Sequence, residues 1–259
     1  YDWRVDFPGI SRVATMLRSP REHVLSQYLY CSEGHISFMT QVPKRNFAEW
    51  VEAWSGFQAE GKIVGDYSHG GSLQSEHVIP TYVTFTDLPF KCYNPTDLQV
   101  QRLTCERPFK YPKESDTEQA IMNMQETWFV GLLEAYQESL CLLYAKTHFK
   151  LPVFCDCTDS TKWSSFNQTH TAYHKHTTRT SHNVTDHPKK VWQAVDQLTA
   201  GDRMLYKAAV QRFVFEVHEI EREFKTKILC YDTLLIQRSL KDPMRMHFAM
   251  YLRDAKGSK

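Results

Sequence analysis

The chain has 259 residues, of which 42% are hydrophobic and 13% aromatic, so it is long and apolar enough to bury a substantial core. Its 31 basic and 30 acidic side chains nearly balance, which excludes capture of a polyanion by overall charge and restricts any basic site to a local cluster. No apolar run approaches the roughly 18–20 residues of a membrane span, and no signal peptide is visible.

The first predicted elements are a strand and a helix joined by an arginine. Residues 12–17 form a short, mostly apolar run, which is typical of a strand buried inside an α/β sheet. Ser19 is a good helix cap, Pro20 suits the first helical turn, and Glu22 completes an S-x-x-E capping box. Arg18 therefore follows the carboxyl end of a strand, where the amides of a helix point outward.

Arg18 and Ser26 form a candidate anion site. A helix amino terminus, a guanidinium and a nearby hydroxyl all favour phosphate oxygens, and Ser26 lies two turns into the predicted helix. The residues alone leave a second interpretation open, in which Arg18 is a solvated surface side chain and Ser26 is structural. His23, one turn before Ser26, is expected to be an exposed helix histidine.

The rest of the chain alternates between predicted helices, strands and loops. Helical spacing of apolar residues predicts helices over residues 46–57, 117–125, 134–146, 189–198 and 202–225. Two further apolar runs predict strands over residues 128–131 and 151–155. Polar or irregular composition predicts loops over residues 61–77, 106–116 and 156–188. The predicted fold is α/β: a parallel sheet with helices on both faces and residues 12–17 as an inner strand, followed by a helical carboxy-terminal part.

The seven cysteines and two glycosylation sequons bear on the compartment. Cys141 lies among leucines on a predicted helix, which favours a buried free thiol. Cys92 and Cys105 flank a loop-like segment and could form a bridge. The sequons at Asn167 and Asn183 favour a secretory lumen.

Five histidines lie in the polar segment that follows Cys155 and Cys157: His170, His174, His176, His182 and His187. A zinc site is one interpretation, because thiolates are near in sequence. The spacing fits no established zinc signature, however, and the threonine-rich sequence is poor helix material. We therefore expect solvated loop histidines and no metal site.

The segment TMLRSPREHVLSQY, residues 15–28, resembles the 3′-phosphate-binding element of sulfotransferases that use 3′-phosphoadenosine-5′-phosphosulfate (PAPS). It is most similar to Golgi carbohydrate sulfotransferases of the heparan sulfate 6-O type, in which a strand ends in L-R-x-P and a serine follows. Arg18, Pro20 and Ser26 occupy those positions. The resemblance implies a P-loop-like sulfotransferase fold in which Arg18 and Ser26 hold the 3′-phosphate of the cofactor.

Three weaker resemblances follow in the family's order, in residues 92–105, 128–144 and 202–213. In the first segment Gln99 matches, but the family's arginine falls on Gln101, with Arg102 one position late. In the second, Glu134 matches at the start of a helix, where a carboxylate usually compensates the helix dipole. The resemblance implies that Glu134 orients the site instead of acting as the base. The third segment, DRMLYKAAVQRF, is similar to a late helix with Asp and Leu-Tyr.

Arg179 is a further candidate for phosphate binding. It lies in TTRTSH, residues 177–182, which looks like a family turn that the resemblance places beside the cofactor. A surface arginine is the alternative. Family members also carry a 5′-phosphosulfate loop and a catalytic His or Glu ahead of the 3′-phosphate element, and neither is recognisable here. We therefore expect residues 1–259 to be a single sulfotransferase-like domain that forms the carboxy-terminal portion of a longer enzyme, with its base upstream of Tyr1.

The function that the resemblance implies is transfer of a sulfuryl group from PAPS to a carbohydrate hydroxyl, without a metal ion. The partner would be a glycan acceptor and not nucleic acid, since no basic–aromatic motif of the RNA-binding type is present. The implied location is the Golgi lumen, with membrane attachment of type II through an upstream anchor. Two alternatives stay open: a non-catalytic glycan-binding or scaffold protein that keeps the fold, and a P-loop-type nucleotide kinase.

Overall fold

The computed structural model describes residues 12–32, 46–59, 95–104, 115–169 and 186–230. These residues are mostly helical, with one two-stranded parallel sheet, and are compatible with an α/β fold. The strands and helices are β1 (Ala14–Leu17), α1 (Pro20–Ser32), α2 (Phe47–Ala59), α3 (Leu98–Leu103), α4 (Thr117–Glu126), β2 (Phe129–Leu132), α5 (Tyr136–His148), α6 (Ser160–Thr169), α7 (Lys189–Leu198) and α8 (Ala200–Phe224).

The chain divides into two compact units. Among the described residues, unit 1 comprises 18–32, 46–59, 95–104, 115–123 and 186–205. Unit 2 comprises 12–17, 124–169 and 206–230. Whether residues 1–259 act as a single domain stays a prediction.

Unit 1 has an aromatic core between three helices, α1, α2 and α7. Its largest side chains are Trp50 and Trp54 of α2, each no more than 1% exposed. The predicted helix start at Asn46 is confirmed, because its side-chain oxygen accepts a hydrogen bond from the amide of Glu49 at 2.9 Å. Burial of this apolar face, more than helix propensity, stabilises α2.

Unit 2 contains the sheet. The strands pair in parallel, with Leu17 opposite Leu132, which confirms the predicted parallel arrangement. All four residues of β2 are buried. Gly131 leaves room for the Met16 side chain of the facing strand, because a Cβ at position 131 would collide with the Met16 sulfur and lie 3.0 Å from the ring of Phe129.

The first strand is less buried than its apolar sequence predicts. Ala14 and Met16 are exposed and only Leu17 is buried, so the predicted burial of this strand is wrong, while its place as an inner strand stays a prediction. An apolar sequence is compatible with burial of a strand, but it does not determine which face of the strand another element covers.

Two predictions beyond residue 150 were also wrong. Residues 151–155 form a 3-10 turn at Val153–Cys155 instead of a strand, because the amide of Cys155 bonds back to the carbonyl of Pro152 at 3.0 Å. The predicted loop over 156–188 contains α6, whose first turn is capped by the Asp159 carboxylate on the amides of Thr161 and Lys162.

The cysteines of unit 2 form two disulfides. Cys141 is buried as predicted, but it is bonded to Cys155 and is not a free thiol. Cys157 is bonded to Cys230, from the end of the described chain. A local apolar pattern showed that Cys141 is buried but carried no information about its partner. The proposed pair of cysteines at 92 and 105 lies outside the described residues.

Candidate anion site

Arg18 lies between β1 and α1, as predicted. The carbonyl of Ser19 accepts the first helical hydrogen bond, from the amide of His23 at 2.9 Å, which confirms Ser19 as the N-cap residue. Pro20 is then the first helical residue, where its missing amide costs nothing. The guanidinium of Arg18 therefore lies close to the amino terminus of a 13-residue helix.

The guanidinium of Arg18 forms an ion pair with Glu22, which lies in the first turn of α1. Its Nη2 donates to Oε2 of Glu22 at 3.2 Å, and the two side chains are 30% and 37% exposed. Ion pairs that are this open to water contribute little free energy, so a phosphate could replace the carboxylate. The charge of Glu22 nevertheless opposes an incoming anion, which the capping-box interpretation did not anticipate.

Ser26 lies one helical turn after Glu22 and is half-buried. Residues four apart share a helix face, so the ion pair and the Ser26 hydroxyl follow one another along α1. Arg179, the other predicted phosphate ligand, lies outside the described residues. These groups are suited to binding and orienting an anion, not to making or breaking a bond.

His23 is half-buried and not exposed as expected. Its Nε2 lies 3.5 Å from Nε2 of Gln27. Burial and, to a lesser extent, the positive charge of Arg18 lower the pKa of His23 from 6.5 to about 4. His23 is therefore neutral near pH 7 and adds no positive charge to the site.

Gln99 of α3 pairs with the backbone of Arg18. Its Oε1 accepts the Arg18 amide at 2.9 Å, and its Nε2 donates to the Arg18 carbonyl at 2.9 Å. The amide side chain thus satisfies both backbone groups of one residue, as a neighbouring strand would. Gln101, two residues on, instead donates to the carbonyl of Thr96 at 2.8 Å.

Two aspartates cap each other's helices behind Gln99. Asp97, just before α3, accepts the amide of Asp202 at 2.9 Å, while Asp202, in the first turn of α8, accepts the amide of Val100 at 2.8 Å. The hydroxyl of Ser115 donates to the second oxygen of Asp97 at 2.6 Å. We call this pair of bonds the Asp97–Asp202 cross-cap. The sequence analysis does not predict it, because the two bonded residues are 105 positions apart. The one local signal was Asp202 itself, an acidic residue in the first turn of a predicted helix.

The pKa of Asp202 is raised from 3.8 to about 7, chiefly by burial. The charge of Asp97 acts in the same direction, whereas hydrogen bonds from the Val100 amide and from the backbone and side chain of Gln99 act in the opposite one, and the value of about 7 is the net result. Asp202 is only 1% exposed, so desolvation of its charged form is the dominant cause.

We expect this aspartate to make the folded chain more stable at lower pH. Between 3.8 and about 7 the folded chain holds a proton that the unfolded chain has lost, so the stabilisation is complete below 3.8 and is lost as pH rises through about 7. Asp202→Asn stays neutral and keeps an oxygen for Val100. In urea unfolding at about pH 5.5 and about pH 8, the wild type should gain stability over the variant at the lower pH. Parallel pH responses in the two proteins would contradict the shift.

Glu134 in unit 2 also has a defined partner. The hydroxyl of Tyr206 donates to its Oε2 at 2.9 Å, and Tyr206 is 7% exposed. Both residues belong to segments that resemble the family, 128–144 and 202–213. The bond holds the carboxylate in one orientation just beyond β2, which is consistent with an orienting role.

Of the five histidines, only His187 falls within the described residues. Its ring packs on Phe47 at 4.7 Å and on Trp192 at 5.6 Å, between centroids, so it belongs to the aromatic core of unit 1 and is not a solvated loop residue. Within the described ranges, no group of three His, Cys, Asp or Glu side chains could hold a metal ion. In the same ranges, no helix combines the length and apolar character needed to cross a membrane.

No protein-family model, no curated protein and no solved structure matches this chain.

Proposed function

We propose that this chain is part of a PAPS-dependent carbohydrate sulfotransferase in which Arg18 and Ser26 hold the 3′-phosphate of the cofactor. The observation that carries the proposal is the pairing of Gln99 with the Arg18 backbone, across 81 residues. The two residues lie in separate segments of the chain, 15–28 and 92–105, and each matches the family at its position. Chance similarity of short segments gives no reason for their matching residues to bond to each other.

Further contacts of the same kind support the proposal. The cross-cap joins the segment 92–105 to the segment 202–213, and the bond from Tyr206 to Glu134 joins 202–213 to 128–144. The proposed fold is a parallel sheet with helices on both faces, of the P-loop-like sulfotransferase type, for which the parallel pair β1–β2 would be part of the sheet.

The two disulfides support the proposed compartment. Disulfides persist in oxidising compartments such as the secretory lumen and are rare in the cytosol. A Golgi enzyme would meet both its glycan acceptor and PAPS in that lumen. Attachment to the membrane would then depend on an upstream anchor, as the resemblance implies.

The proposed chemistry is in-line transfer of the sulfuryl group to a sugar hydroxyl. A base removes the hydroxyl proton, and fixed positive charge stabilises the departing adenosine 3′,5′-bisphosphate. Arg18 and Ser26 anchor the far end of the cofactor, and so set the distance between the sulfuryl group and the acceptor without taking part in bond making. Arg179 is proposed as a further phosphate ligand.

We expect Arg18→Ala to weaken binding of adenosine 3′,5′-bisphosphate by about 1.5–3 kcal/mol, the usual scale for a hydrogen bond to a charged group. Ser26→Ala should cost less, because it removes one neutral donor. Glu22→Gln should tighten binding, since it removes the carboxylate that competes for the guanidinium. Calorimetric titration of the whole chain measures all three.

Two controls make this titration specific. Arg203→Ala removes an exposed positive charge from the same unit and should leave the affinity unchanged. Adenosine 5′-monophosphate lacks the 3′-phosphate, so its binding should not respond to Arg18→Ala. Equal affinity of the folded Arg18→Ala variant and the wild type for the bisphosphate would refute the site.

A non-catalytic protein that keeps the fold is the second candidate. The observation that favours it is the ion pair with Glu22, because it satisfies the Arg18 guanidinium without a ligand. If the wild type does not bind the bisphosphate and the Glu22→Gln variant does, the non-catalytic protein is the better candidate.

A further inference from the structure

The backbone of Arg18 is held by an element that cannot be stable alone. Helix α3 has six residues, and an isolated helix of that length does not form in water. Its second residue, Gln99, is 8% exposed and makes both bonds to Arg18. Whatever fixes α3 therefore also fixes the position of the Arg18 backbone.

The cross-cap is what fixes α3. Asp202 takes up the amide of Val100, one of the unsatisfied donors at the start of α3. Asp97 has a left-handed backbone, with φ 44°, a conformation that costs most L-residues energy and that aspartate tolerates better than most. Two bonds fix its side chain: the carboxylate accepts both the amide of Asp202 and the hydroxyl of Ser115.

The fit between these elements is close. A Cβ added at Gly201 would lie 2.5 Å from the hydroxyl of Thr117 and 2.9 Å from Oδ2 of Asp97, so only glycine lets α8 approach the turn before α3. All of the residues involved lie in unit 1.

We propose that Gln99 and Asp202 are positioning residues for anion binding at Arg18, a role that rests on the proposed function. Asp202 fixes α3, α3 presents Gln99, and Gln99 immobilises the backbone from which the guanidinium extends. A guanidinium on a fixed backbone loses less conformational entropy when it binds phosphate, so the free chain is pre-organised for the anion.

The test compares two glutamines of the same short helix. Gln99→Met removes both bonds to Arg18, and we expect about a tenfold weaker affinity for adenosine 3′,5′-bisphosphate. Gln101→Met is the matched control, because Gln101 bonds to Thr96 and not to Arg18, and its affinity should equal that of the wild type. Asp202→Ala should weaken binding like Gln99→Met, and Asp202→Asn should restore it, since asparagine keeps an acceptor for Val100.

The same substitutions in the Arg18→Ala background separate positioning from general damage. With Arg18 truncated, Gln99→Met should cause no further loss of affinity, because its effect acts through the guanidinium. Hydrogen exchange gives a readout without ligand: the Arg18 amide should exchange faster in Gln99→Met and Asp202→Ala than in Gln101→Met.

The outcomes distinguish this inference from the function on which it rests. If the wild type does not bind the bisphosphate, the proposed function fails and the inference fails with it. If the wild type binds and the folded Gln99→Met variant binds equally well, only the inference is wrong. An equal loss in both Arg18 backgrounds would also overturn it, since the glutamine would then act on folding and not on Arg18.

Discussion

Removing the disulfide between Cys157 and Cys230 is expected to lower the free energy of unfolding by about 4.5 kcal/mol, the chain-entropy estimate for a loop of this size. The two cysteines are 73 residues apart, so without the bond the unfolded chain gains the freedom of a long loop. Cys230 is exposed and Cys157 is half-buried, so a double alanine variant should leave no large cavity. The loss should come almost wholly from the unfolded state.

The disulfide between Cys141 and Cys155 is the internal comparison. Its separation of 14 residues corresponds to about 3 kcal/mol by the same relation. Both cysteines are 0% exposed, so a double alanine variant adds the cost of a small cavity. Urea unfolding of the two double variants measures both losses. A negligible loss on removal of the 157–230 bond would contradict the expected role of chain entropy.

Exposure also predicts the order in which the bonds are reduced. Mild reductant without denaturant should cleave the 157–230 disulfide first, because Cys230 is exposed and Cys157 half-buried, whereas Cys141 and Cys155 are fully buried. Alkylation followed by peptide mass spectrometry reports the order. Simultaneous loss of both bonds would indicate that reduction follows global unfolding.

The sequence predicts most of the helices and the parallel strand pair, because these depend on local patterns. Asn46 with its apolar repeat predicted α2, and the two apolar runs predicted β1 and β2. The predictions that failed concern contacts between segments that are distant in the sequence. The partner of Cys141 and the exposure of Met16 depend on which other segment packs there, and no short-range period records that.

The candidate site divides in the same way. Arg18 and Ser26 were placed from a strand–cap–helix pattern, and the structure has that pattern. The cross-cap was not predicted, since the carboxylates of Asp97 and Asp202 bond to amides about a hundred residues away. Each aspartate alone is typical of an ordinary helix start. Only the folded chain shows that each carboxylate caps the helix of the other aspartate instead of its own.

The second large effect is expected at Arg212 of α8, which holds the segment leading into β2. Its guanidinium donates to the carbonyl of Met124, to the carbonyl of Thr127 at 2.6 Å, and to Oε1 of Glu216 at 2.8 Å. The arginine side chain is only 11% exposed. Lys146 reinforces the arrangement, because its Nζ contacts the other oxygen of Glu216 at 2.7 Å.

We expect Arg212→Met to lower the free energy of unfolding by about 3–5 kcal/mol, the usual cost of breaking a buried charge network from one side. Methionine fills much of the volume, but it removes the donor to the Thr127 carbonyl and one of the donors to the Met124 carbonyl, which keeps its bonds from the amide and the hydroxyl of Thr127. Arg212→Lys should recover only part of the loss, since an ammonium cannot reproduce the planar fork that reaches these acceptors and the Thr127 hydroxyl.

The matched control is Arg222, three turns further along the same helix. Its side chain is 72% exposed and pairs with Glu219, so Arg222→Met should cost less than about 1 kcal/mol. Urea unfolding of the three variants gives the comparison. If Arg212→Met and Arg222→Met were equally mild, Arg212 would not be what holds residues 124–128 against α8. β2 would then owe its position to its buried apolar face, its pairing with β1, the bond between Ser139 and Leu132 and the bond from Lys146 to the Trp128 carbonyl.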